Sequence, residues 1–156
     1  MQLIADIITD QDELTNESII NAIILGSICH PEKVKELKEI PFIIDSGATT
    51  TTLSLFFAKL IGINVDELPV AVKPCIIAGG GKIYPRVLDF PELKFNVEDG
   101  NKQKQETFNP RHVLVMPNPK GRKKIKASLN LLGMDVLCSF SNWEWNFNTG
   151  KLYLKP

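Results

Sequence analysis

Pro41-Phe42-Ile43-Ile44-Asp45-Ser46-Gly47-Ala48-Thr49-Thr50 carries an apolar run straight into a carboxylate, then into a Ser-Gly turn and a cluster of threonines. The apolar part reads as a short buried strand. An unpaired buried carboxylate is costly and tends to neutralise itself. Asp45 therefore either meets water at the mouth of a site or has its charge managed by a neighbour. Taken alone, Asp-Ser-Gly is also what an ordinary turn is made of, because each residue suits turn geometry. The rest of the chain has to decide.

Outward from this stretch, Ile, Val and Phe are frequent and turn signals recur at short intervals, the pattern of a mainly β domain. Ser18–Cys29, SIINAIILGSIC, reads as a strand. The charged HPEKVKELKEI that follows reads as a connector, one helical turn or a hairpin arm. Ser54 offers an N-cap to LFFAKLIG, whose apolar spacing is helical and whose Gly62 is a stop. Strand character returns from Leu68 to Phe95, broken by Ala78-Gly79-Gly80-Gly81-Lys82. That break has neither the spacing nor the hydroxyl of a phosphate-binding P-loop, since Ile83 follows Lys82. It describes a hairpin with a side-chain-free tip, which serves equally as a plain surface turn or as a mobile flap. ETFNPRHVLVM reads as a strand region with Pro110 marking an edge. LNLLGMDVLCSF suits a buried strand entering a short helix, and NWEWNFNTGKLYLKP a closing strand-turn-strand.

The chain has 156 residues, enough for one domain with a proper core. Eighteen basic residues balance eighteen acidic ones, so no overall field points to nucleic acid or an anionic membrane. The basic run Lys120, Arg122, Lys123, Lys124 and Lys126 lacks interleaved aromatic residues and reads as a solvated loop. Cys29, Cys75 and Cys138 are odd in number and widely spaced, which argues against a disulfide framework or a zinc site. Each reads as a reduced, buried apolar residue. His30 and His112 are isolated, so no metal or other cofactor is expected. The N-terminus lacks a basic leader region and no apolar run approaches membrane length, so the chain reads as cytoplasmic and independent of membrane. Residues 1–18 read as an N-terminal arm or extra strand and residues 19–156 as the functional domain.

Three ordered features change the weight on Asp45. The apolar strand ends in Asp45-Ser46-Gly47-Ala48, the Gly-rich hairpin spans Ala78 to Lys82, and Leu131-Leu132-Gly133 leads into a helical segment. In this the chain resembles the retropepsin-like aspartic proteases, particularly the cellular DNA-damage-inducible type, over roughly Ile19 to Leu154. The resemblance implies a single-lobe, closed β fold with one or two short helices and a flap. It implies that Asp45 is catalytic and Ser46, Gly47 and Ala48 support its loop. Ala78, Gly79, Gly80, Gly81 and Lys82 would cover a peptide, and Leu131, Leu132 and Gly133 would pack behind the turn. Two departures stand out. Met134 occupies the position where retroviral members carry an Arg that ties subunits together, and the loop before Leu131 is longer and more basic than the pattern requires.

Peptide hydrolysis by carboxylates needs two of them, one to activate water and one to protonate the amide. The sequence holds one Asp-Ser-Gly motif, and Asp135 is not in that context. The second acid is therefore expected from another copy of the chain, in a twofold homodimer acting on peptide or unfolded protein. The terminal strands WEWNF and KLYL would pair with their twins. Two other classes compete. Asp45, Gly47 and Thr49 also fit the phosphate-binding turn of actin/hexokinase-type phosphotransferases, but those need two large lobes. A non-catalytic dimerisation or peptide-binding module with the protease fold is the stronger alternative.

Overall fold

The structure, a computed structural model, describes residues 1–11, 15–77, 80–118 and 130–156. Ala78, Gly79 and the basic run Lys120 to Lys126 lie outside the described residues. Among the described residues, thirteen strands, two short α-helices and one 3-10 turn (Val65–Glu67) follow one another. The strands are β1 (Gln2–Gln11), β2 (Ser18–Cys29), β3 (Ile40–Ile44), β4 (Thr52–Ser54), β5 (Cys75–Ile76), β6 (Lys82–Ile83) and β7 (Arg86–Asp89). They continue with β8 (Glu92–Asp99), β9 (Lys102–Phe108), β10 (His112–Met116), β11 (Leu131–Leu132), β12 (Asn142–Asn146) and β13 (Lys151–Lys155). Helix α1 (Leu55–Leu60) follows β4, and α2 (Met134–Leu137) follows β11. The mainly β reading holds.

The main sheet runs β11-β3-β2-β8-β1-β13-β12, with β9 paired to β8. It does not close into a barrel, because β11 and β12 stand at its two ends. The expected closed fold is corrected to an open one. Its curvature comes instead from β1, β2 and β8, which pair with one another in all three combinations, each antiparallel. Three strands cannot be mutually antiparallel in a flat sheet, so these bend around the core. The change of partner falls between Ile23, the last β2 residue on β1, and Gly26, the first on β8. Gly26 lies directly beneath its cross-strand partner Phe95, and a Cβ there would stand 2.2 Å from the ring. The bend thus uses a residue with no side chain, and the Phe95 ring fills the space.

Phe95 in turn meets Phe42 edge-on at 5.8 Å between ring centroids and Phe108 at 5.9 Å. Leu3, Ala5, Ile40, Leu93, Leu132, Leu152 and Leu154 complete this core, all fully buried. Residues 1–18 thus contribute β1, whose inward Leu3 and Ala5 are core residues. A smaller sheet, β4-β10-β7, packs α1 and the Leu53, Leu88 and Val113 side chains against the same core. The β5–β6 hairpin forms a two-stranded sheet of its own.

Several local readings need correction. HPEKVKELKEI is not a hairpin arm: it opens with a single turn closed by the Val34 N–H donating to the His30 carbonyl at 3.1 Å, and continues as a loop held by hydrogen bonds from the Lys35 and Glu36 N–H groups to the Ile61 carbonyl, with Val34 on the core. ETFNPRHVLVM is two strands rather than one, split at Asn109–Arg111. Its second part, β10, is the central strand of the small sheet and not an edge. Pro110 sits in the break, where its missing N–H costs no ladder bond. KLYL (β13) is paired on both sides, to β1 and β12, so it has no edge left for a twin. The three cysteines are free, but Cys29 and Cys75 are only partly buried and Cys138 is exposed. Ser54 caps α1 as expected, accepting from the Phe57 N–H at 3.3 Å, and Gly62 ends it with a φ of 81°. No described helix is long and apolar enough to cross a membrane.

Gly26→Val should destabilise the protein by about 1–3 kcal/mol, because the Phe95 ring must leave its low-energy position to make room. Urea unfolding of the variant measures this. An unchanged midpoint would mean that β2 can bend elsewhere.

Candidate active site

The Asp45 turn is built where three parts of the chain meet. Strand β3 delivers Asp45 beside β11, which runs parallel to it with Leu131 opposite Ile43 and Leu132 opposite Ile44. The ladder continues one step beyond the strand, as the Asp45 N–H donates to the Leu132 carbonyl at 3.1 Å. The turn then closes on itself, the Ala48 N–H donating to the Asp45 carbonyl at 3.2 Å. Finally the Met134 N–H donates to the Ala48 carbonyl at 2.8 Å. The turn is therefore fastened at both ends by the Leu131-Leu132-Gly133 segment and the residue after it. The structure brings these two motifs together.

The threonines after the turn form the other side of a slot. Leu131 N–H donates to Thr52 Oγ1 at 3.2 Å, and Gly133 N–H to Thr51 Oγ1 at 3.1 Å. The β11 segment thus passes between β3 and the Thr51–Thr52 chain. It fits only because Gly133 lacks a side chain, since a Cβ there would stand 2.6 Å from the Thr50 carbonyl carbon. Backbone cannot move aside as a flexible side chain can.

Two residues that lock this slot escaped the sequence reading. Asp135, set aside as a second acid, accepts hydrogen bonds from the Thr51 N–H at 3.0 Å and the Thr51 hydroxyl at 2.7 Å. It clamps α2 to the far arm of the slot. Asn130 is fully buried, and its side-chain oxygen accepts from the Ser54 N–H at 2.7 Å while its amide donates to the Pro41 carbonyl at 3.1 Å. Its main-chain carbonyl also takes the Ile43 N–H at 2.8 Å. The available signal was a polar residue directly before an apolar strand, where burial forces such a side chain to find partners.

The Asp45 side chain is treated differently. One carboxylate oxygen accepts the Gly47 N–H at 2.8 Å, and among the described residues no other donor and no basic side chain meets it. It is partly buried, and no side-chain oxygen there is both buried and without a partner, so water reaches the remaining lone pairs. Gly47 permits this bond, since a Cβ on it would approach the same oxygen to 3.1 Å. Ser46 is exposed and its hydroxyl makes no bond within the described residues. Of the hairpin residues, Gly80, Gly81 and Lys82 are exposed, and Gly80 holds a φ of 80° in a tight turn closed by its N–H to the Ile77 carbonyl at 3.0 Å. The hairpin is apolar for a surface element, with Ile76 75% and nearby Val72 95% exposed. Burial pushes the Cys75 thiol up, which favours its protonated form over the thiolate. Among the described residues no group of His, Cys, Asp or Glu is placed to hold a metal ion.

The crystal structure of a retropepsin-like aspartic protease from Rickettsia conorii matches over 99% of this chain and 89% of that one, with a TM-score of 0.54. The fold is retropepsin-like. Sequence identity across that match is 17%, so the likeness is one of architecture. No family model and no curated protein matches the sequence.

Asp135→Ala should cost about 1.5–3 kcal/mol, since it removes a charged acceptor and leaves the buried Thr51 N–H and hydroxyl without it. Chemical denaturation gives the value. A loss below about 0.5 kcal/mol, the range of ordinary surface substitutions, would show that α2 is held by packing alone. Gly80→Val meets no steric obstacle but must adopt a left-handed backbone, at about 1–2 kcal/mol. The expected result is an intact fold with a hairpin pulled out of this turn, read from hydrogen exchange of the amides at positions 77 and 80.

Proposed function

We propose that the chain is an aspartic endopeptidase that works as a homodimer, each copy supplying one Asp45. The observation that carries this reading is the contrast around Asp45. Its turn is fastened at both ends, yet among the described residues its carboxylate receives one donor and no cation. A rigidly placed acid with open lone pairs facing water is suited to chemistry rather than to holding the fold together. The retropepsin-like architecture supports the same reading at the level of the fold.

One such acid is half a catalyst. With two Asp45 side chains facing across a twofold axis, repulsion keeps one proton on the pair. The ionised carboxylate takes a proton from water as the water oxygen attacks the scissile carbonyl carbon. The protonated carboxyl donates to the carbonyl oxygen. Collapse of the tetrahedral species breaks the C–N bond, and the departing nitrogen takes up a proton from the dyad. Water is the only co-reactant. The Ala78 to Lys82 hairpin would close over the peptide, with its glycines absorbing the motion. Ser46, exposed at the turn, would bond across the axis. Residues 19–156 with the β1 strand would form one catalytic unit. The finer likeness to the DNA-damage-inducible type and a cytoplasmic setting belong to this reading.

Wild type should cleave an unfolded protein with a bell-shaped acidic pH profile whose two limbs belong to the coupled pair. Below the lower limb no base remains, and above the upper limb no acid remains. Asp45→Asn should fold normally and lose activity by at least about a hundredfold. Specific activity should fall on dilution more than in proportion to protein, as mass action requires. Cleavage that survives Asp45→Asn would place the catalytic acid elsewhere. Peptide binding without turnover by wild type would favour the non-catalytic module.

A further inference from the structure

We infer that Arg86 is a positioning residue for the β5–β6 hairpin: it fixes the hairpin's root to the body, so that the hairpin swings as one unit about a joint at residues 72–74 and Tyr84. This rests on the reading of that hairpin as a cover for peptide and names the parts that would move it.

The backbone here pairs in two blocks that do not share a register. At the root, Val70 stands opposite Arg86. The Ala71 N–H donates to the Pro85 carbonyl at 2.8 Å, and the Val87 N–H to the Pro69 carbonyl at 2.9 Å. Further out, Cys75 pairs with Ile83 and Ile76 with Lys82, and the Ile77 N–H donates to the Gly81 carbonyl at 3.0 Å. Between the blocks one arm has Val72, Lys73 and Pro74, while the other has Tyr84 alone. Among the described residues no backbone hydrogen bond joins the arms across this gap. Pro74 and Pro85 border it and have no N–H to offer, so neither can extend a ladder into it.

The joint is thinly packed. Val72 is 95% and Tyr84 56% exposed, and among the described residues β5 and β6 pair only with each other. A segment with few contacts and no spanning bonds is where a structure opens first. The outer block keeps its own ladder and turn, so it can swing without breaking them. The tip glycines shape the end of the hairpin, and the joint moves the whole of it.

The root belongs to the same body as Asp45. Arg86 pairs with Val115 on β10, and β10 pairs with β4, where Leu114 stands opposite Thr52. Thr52 is a wall of the slot that fastens the Asp45 turn. Root and acid are therefore joined through one small sheet, and the hairpin swings relative to both. Arg86 adds the second fastening. Its Nη1 donates to the Leu68 carbonyl at 2.8 Å, and Leu68 is buried. Such a bond from a charged donor is stronger than a neutral one. A guanidinium stays charged throughout the acidic range and a carbonyl does not titrate there. The tie thus persists under conditions that would protonate a carboxylate and cut an ion pair.

The test uses the full chain with Arg86→Ala, Arg86→Lys and a deletion of Lys73 and Pro74, each checked for folding by circular dichroism. The deletion leaves Val72 opposite Tyr84 and brings both blocks into one register. In wild type, nitrogen-15 relaxation should show the amides at 75–77 and 80–83 moving together, with those at 71 and 87 still. The deletion should bring the hairpin amides to the values of the root. Arg86→Ala should speed hydrogen exchange at 71 and 87 by at least about tenfold, and Arg86→Lys, which keeps a cationic donor, should recover most of that loss. With a peptide substrate, Arg86→Ala should raise KM at least about tenfold, leave kcat within about twofold and leave both pH limbs in place, because the hairpin binds while Asp45 does the chemistry. Hairpin amides as still as the root in wild type would overturn the joint, and root amides unmoved by Arg86→Ala would overturn the role of Arg86. Either result, with a wild type that cleaves, leaves the protease reading intact. A loss confined to kcat would also remove Arg86 as a positioning residue. A wild type that cleaves nothing, with relaxation and exchange as expected, supports the joint and its fastening and removes the protease reading.

Discussion

Everything near Asp45 depends on one close passage of backbone, where Gly133 lies against Thr50 with no room for a side chain. That passage lets a short segment run between two arms of the same loop and bond to both. On one arm it extends the β3 ladder to Asp45. On the other it meets the hydroxyls of Thr51 and Thr52. A turn held this way does not need its own side chains for rigidity. Asp45 and Ser46 are thereby released from structural duty.

Two aspartates show the division of labour. Asp135 spends its carboxylate on Thr51, taking the main-chain N–H and the hydroxyl at once. Asp45 takes a single N–H from its own turn. Both belong to motifs read from the sequence, and both follow apolar strands. What separates them is the partner each finds in space, which one-dimensional spacing does not specify.

Local signals were legible where short-range physics decides the outcome. Ser54, Gly62 and the Ser18–Cys29 strand are examples, since capping, left-handed turns and apolar runs act within a few residues. The meeting of the Asp45 turn with Leu131–Gly133 was legible only through family resemblance. Asn130 and Asp135 were missed because their partners lie 76 and 84 residues away. The closed sheet was an overreach for a related reason. Alternation along strands says which face is inward, but not whether the first and last strands find each other. Pro110 misled in the same way. It marks a break in pairing, and the sequence does not say that the strand after it, β10, will be central.

The slot also fixes when the site can exist. Its walls come from residues 43–54 and its insert from residues 130–135, so no early part of the chain can assemble it. Contacts this distant in sequence form late, because a long loop must be closed before they stabilise anything. During synthesis the domain emerges N-terminal end first, and Asp45 leaves the ribosome long before Gly133. In that interval the acid sits on an unfastened loop. Assembly order alone thus keeps the Asp45 turn unformed in the nascent chain until residues 130–135 have also emerged.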